Sequence, residues 1–188
     1  MHYLAVVCQA VIAVTFAVAA FTKGRSRASF VAFAASVRDL TARPRRVSHS
    51  LAVSVIVAEA TVALLVVVPG LHTAGFVLAL ILLAAFTAAL VRALLRGERP
   101  SCRCFGSASA QIGLRTVVRN LLLGAAAVTG AVAGTLADAS SAGAVDTRGT
   151  VLAIVAGAVA AGLIVAIDDI VELFSPATSS VTSLSKTR

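Results

Sequence analysis

Residues 48–95 read SHSLAVSVIVAEATVALLVVVPGLHTAGFVLALILLAAFTAALVRALL, two long apolar runs parted by Pro69-Gly70. The first, Ser48 to Val68, carries one charged residue, Glu59, near its middle. The second, Thr73 to Leu95, carries only Arg92, near its end. As a helix, each run is long enough to cross the ~30 Å hydrocarbon core of a bilayer. Each is apolar all round rather than striped, as a helix surrounded by lipid requires. Pro-Gly is a turn signal. The link Pro69–His72 is short, so the two runs predict an antiparallel hairpin of transmembrane helices.

The same pattern extends in both directions. Tyr3 to Phe21 contains no charge and predicts a first span. Ala17-Val18-Ala19 resembles a signal-peptidase site, but no Lys or Arg precedes the apolar run, so the basic leader of a signal peptide is missing. A retained helix is the better reading. Leu114 to Leu136 and Thr150 to Phe174 predict two further spans, the last with Asp168 and Asp169 near its end. Those two acids read as solvated helix-end charges. Gly124, Gly130, Gly134, Gly157 and Gly162 fall in these last two runs, where small residues let helix backbones approach closely.

Between the first and second spans, Lys23 to Val47 is strongly basic. Phe30, Val31, Phe33, Ala34, Val37 and Leu40 recur there at helical spacing. That pattern predicts a short amphipathic helix in the membrane interface, ended by Pro44.

Composition agrees. Hydrophobic residues make up 59% of the 188 and charged residues 13%, and mean hydropathy is +0.99. That is too little polar surface to coat a soluble globule of this size. The net charge of +8 raises nucleic acid as a partner, but with no Trp and one Tyr there is no stacking surface for bases. The basic residues flank the apolar runs, which points to anionic lipid headgroups. Fifteen of the 16 Lys and Arg fall on one side of the alternating topology, only Arg148 on the other. The positive-inside rule then puts the N-terminus out and the C-terminus in, with the polar loop from Arg96 to Gln111 at the cytoplasmic face of the plasma membrane.

That loop holds the sharpest motif, Cys102-Arg103-Cys104-Phe105-Gly106. Two thiols one residue apart can close only a strained, easily exchanged disulfide. Arg99 and Arg103 beside them favour the reactive thiolate. The competing readings are two inert surface thiols, or half a metal site that would need His49 or a second subunit to complete it. Redox chemistry is the favoured reading, and no metal is assigned. Cys8 reads as a small buried apolar residue.

Glu59 is the second candidate. An acid at mid-membrane costs about 2.5–3.5 kcal/mol on insertion scales, so it should face the bundle interior with a partner. Lys23, Arg119 and Asn120 are the candidates. Glu59 reads equally as a proton site, as an orienting group for a bound cofactor, or as a plain interhelical contact. At helix ends, Lys23 and Arg119 are expected to snorkel toward headgroups, and Asn120 to hydrogen-bond across helices. A quinone is one cofactor the redox reading admits, though no residue pattern marks it.

Lys23 after the first helix, Glu59 within the second, Cys102-x-Cys104-Phe105-Gly106 after the third and Arg119-Asn120 opening the fourth together resemble the MauE family, membrane proteins of methylamine utilisation grouped with DoxX-like proteins. The resemblance covers roughly residues 3 to 136. Arg103 stands where that family usually has Gly. The resemblance implies an all-α, polytopic four-helix core over residues 1–137. A linker, 138–149, a further transmembrane helix, 150–174, and a disordered tail, 175–188, lie outside it. It also implies a role in disulfide formation or maturation of an exported client, in the family's name-giving case methylamine dehydrogenase, beside a thioredoxin-like protein.

Overall fold

The computed structural model describes residues 1–41, 43–95, 114–139 and 146–174; side chains at 94, 114, 115, 138 and 167–174 are outside the description. Cys102, Cys104, Phe105, Gly106 and the 175–188 tail therefore lie outside the described residues.

Six helices account for the described chain, and no strand occurs among the described residues. They are α1 (His2–Gly24), α2 (Arg27–Thr41), α3 (Arg45–Val67), α4 (His72–Leu95), α5 (Leu114–Ala139) and α6 (Thr147–Phe174). All except α2 are long and apolar enough to span a membrane. Large side chains such as Phe21, Leu64, Ile81, Leu121, Val132, Val159 and Leu163 are exposed along these five helices. In water such a surface would exceed by far the apolar patches a soluble monomer carries. Against lipid it is the expected outside, and the chain is a multi-pass membrane protein.

Helix α1 packs on α3 and on α5, and α4 packs on the same two, so these four close into a ring with α1 and α4 on its diagonal. The helix hairpin α3–α4 turns at Gly70, whose φ of 78° lies in the region glycine adopts without strain. The ring's centre is filled by Ile12, Val62, Val66, Phe76, Ala79 and Ala127. Helix α6 does not continue the ring beside α5. It packs along the outer face of α1, where a Cβ on Gly157 would come within 2.6 Å of Ala10 Cβ. Close backbone approach of this kind supplies dispersion contacts, which drive helix association in lipid in place of the hydrophobic effect.

The helices run past the predicted spans. α3 starts at Arg45 rather than Ser48, α5 continues to Ala139 and α6 begins at Thr147, so both borders of the expected 138–149 linker are helical. Polar residues extend a helix freely once it has left the hydrocarbon, which hydropathy alone does not register.

Helix α2 departs from expectation in its surroundings. Its apolar face is turned into the bundle: Phe33 and Ala34 are buried with Ala52 of α3, and Phe30, Val37 and Phe86 pack around them. Gly24, at the end of α1, is level with Ile56 of α3: a Cβ on Gly24 would lie 4.0 Å from Ile56 Cγ2. The first turns of α3 thus project beyond α1, and α2 fills the space left there.

Candidate functional site

Where α1 stops short, a cavity of about 220 Å³ opens among α1, α2, α3, α4 and α5. Each helix presents one face to it. Thr15, Ala19 and Lys23 lie four residues apart on α1, as Leu51, Val55 and Glu59 do on α3, so each set forms a single row. Helix α2 contributes Phe33, Val37, Leu40 and Thr41; α4 contributes Leu82, Leu83, Ala85, Phe86 and Ala89. The first turns of α5 contribute Arg119, Asn120 and Leu123. Phe16 completes the wall.

The walls are overwhelmingly apolar, and the polar exceptions are few. Lys23 Nζ donates a hydrogen bond to Glu59 Oε1, forming an ion pair with the two residues 5% and 9% exposed. The same ammonium lies 5.0 Å from the centre of the Phe33 ring, a cation–π contact worth about 2 kcal/mol when desolvated. Asn120 Nδ2 donates to Thr87 Oγ1 at 3.1 Å, joining α5 to α4. Arg119 is buried beside it. Thr15 Oγ1 and Glu59 Oε2 are also buried, and neither has a hydrogen-bond partner among the described residues.

Of the residues nominated from sequence, Lys23, Glu59, Arg119 and Asn120 meet at this one cavity. The snorkelling expected of Lys23 and Arg119 is corrected: both are buried, because α3, displaced along α1, and the inward-packed α2 carry the bundle past the end of α1. Cys8 lies in the ring core away from the cavity. His49 stands edge-on to Phe30, with ring centres 5.4 Å apart. Cys102, Cys104, Phe105 and Gly106 are outside the described residues. Their segment leaves α4 after Leu95 and enters α5 at Leu114, the end of the ring to which Arg119 and Asn120 belong. Sequence reasoning missed Thr15 and Thr87. Hydroxyls in apolar helices ordinarily bond their own backbone, and only the four-residue spacing of Thr15, Ala19 and Lys23 marked the row.

A charge pair buried in a helix ring, facing an otherwise apolar chamber, defines a class: small polytopic membrane proteins with a polar centre inside the bundle. Within that class the chain belongs to the MauE family, for the profile described as methylamine utilisation protein MauE matches residues 1–133. That match takes in the ring α1, α3, α4 and most of α5, together with α2, and stops before α6. No curated protein and no solved structure matches the chain.

Proposed function

We propose that the chain is a membrane-embedded thiol–disulfide redox protein, with Cys102 and Cys104 as the exchanging pair. The observation carrying this reading is the convergence of Lys23, Glu59, Arg119 and Asn120 on one cavity, at the end of the ring from which the Cys-x-Cys segment departs. Membership of a methylamine utilisation family supports it further. One thiolate attacks a sulfur of the partner's disulfide, giving a mixed disulfide and releasing the partner's second thiolate. The other cysteine then displaces the first bond. Two electrons pass to the partner, and the pair closes as a disulfide; with the pair oxidised at the outset the same steps run in reverse. The partner is a thioredoxin-like protein, and the process served is maturation of an exported client, in the family's name-giving setting an enzyme of methylamine utilisation. By the charge asymmetry the N-terminus is outside the plasma membrane and the pair is at its cytoplasmic face.

Thiol trapping in intact cells with a membrane-impermeant maleimide tests both parts. Labelling of Cys102 and Cys104 only after reduction is expected, and only in permeabilised cells. Free thiols under all growth conditions, or full client maturation with Cys102→Ser, would remove the redox reading. The buried Lys23–Glu59 pair favours one alternative, a non-redox membrane subunit or small transporter working through Glu59. Loss of function in Glu59→Gln alongside a silent Cys102→Ser/Cys104→Ser variant would select it.

A further inference from the structure

We infer that the cavity is a binding site for the ring of a lipid-borne quinone or its quinol. Three features lead there. The first is size and lining. About 220 Å³ exceeds the ~150 Å³ apolar cavity known to admit benzene. Phe16, Phe33 and Phe86 are aromatic members of its lining.

The second is the polarity among the lining residues. Thr15 is 3% and Glu59 9% exposed. Thr15 Oγ1 and Glu59 Oε2 lack hydrogen-bond partners among the described residues, and both residues line the cavity. A buried polar atom left unmatched costs about 1–3 kcal/mol, so two of them on the walls of one cavity call for a ligand with polar groups of its own. A quinol hydroxyl donates to Glu59 Oε2. A quinone carbonyl accepts from the Thr15 hydroxyl or from the Lys23 ammonium. One ring in two redox states thus matches a site that holds both an acceptor and donors.

The third is the entrance. Leu51 is 39% exposed and Ala85 is also exposed, while both line the cavity. They belong to membrane-spanning α3 and α4, so the rim is apolar and faces where lipid lies. A ligand dissolved in the bilayer enters head first.

The inference rests on the cavity and stands whether or not the thiol reading does. Where both hold, the balance closes: dithiol plus quinone gives disulfide plus quinol, two electrons and two protons passing from sulfur to the ring.

The test is photolabelling of the full chain in lipid nanodiscs, with Cys102 and Cys104 replaced by Ser, using an azido-substituted short-chain benzoquinone. Saturable labelling of the peptides around Phe16, Phe33 and Phe86 is expected. Unlabelled short-chain benzoquinone should compete, and an isoprenoid alcohol of the same tail should not. Thr15→Val, which keeps the shape and removes the hydroxyl, should raise the half-saturating concentration about fivefold. Ala89→Phe, which fills the chamber, should abolish labelling while the chain remains helical and monodisperse. Equal competition by the ringless alcohol would make this a lipid-tail cavity and overturn the inference. So would unsaturable labelling, or labelling undiminished in Ala89→Phe. Because the labelled chain lacks both cysteines, loss of thiol exchange in cells and loss of ring binding are read separately.

Discussion

The two ends of the helix ring are built on opposite terms. At the end holding Cys8, Phe76 and Gly130, backbones meet so closely that a Cβ on Gly130 would run into the Phe76 ring and come within 2.8 Å of Cys8 Cβ. At the other end the helices part around a chamber, and a Lys–Glu pair lies in its wall. The tight end, where the buried His72 lies against Gly134, is stabilised mainly by contact area. The open end gives up contact area and carries three charged side chains, Lys23, Glu59 and Arg119, that lipid would reject. The contrast teaches that the open end is kept for something other than stability, since apolar packing throughout would have served that better.

The ion pair should give the largest effect. Lys23→Met or Glu59→Leu alone leaves one uncompensated buried charge and is expected to destabilise by about 3–5 kcal/mol. The double variant should lose much less than the sum, read from loss of helicity as a denaturing detergent is titrated in. Additive losses would mean that the two groups do not depend on each other, and the contrast between the ends would collapse.

The tight end comes next. Gly130→Ala should cost about 1–3 kcal/mol by overpacking, since the fully buried Phe76 has nowhere to retreat. Gly124→Ala, where a Cβ meets nothing within 4 Å, should be close to neutral in the same titration. Equal effects at both glycines would show that close approach is not what holds this end.

The smallest effect belongs to the hydrogen bond between α5 and α4. Thr87→Val removes the acceptor for Asn120 and should cost about 0.6 kcal/mol, the average for such bonds in membrane bundles. A loss several times larger would mean that Asn120 anchors the open end as firmly as the ion pair does.

The spans were legible because lipid leaves a helix no choice: every backbone group is bonded internally, and every outward side chain is apolar. The 3.6-residue spacing of Phe30, Phe33, Val37 and Leu40 likewise disclosed α2. What that face packs against was not legible, because an apolar stripe answers equally to lipid and to protein. The position of Lys23 depended on this. Counted along the chain, it ends a span and should reach headgroups. Only the offset of α3 along α1, and the presence of α2 beside them, put it inside. Glu59 announced itself by cost alone. Thr15 did not, since a hydroxyl in a helix carries no comparable penalty.

The seat of α6 on α1, rather than on its neighbour in sequence, bears on how the protein is made. Helix α1, made before the other described helices, has on its outer side a strip, around Val7 and Ala10, that Gly157 approaches closely, in a helix synthesised some 150 residues later. Until then that strip faces lipid or whatever accompanies the nascent chain. Assembly therefore cannot finish as each helical pair enters the membrane; the last described helix must reach past α5 and dock on α1.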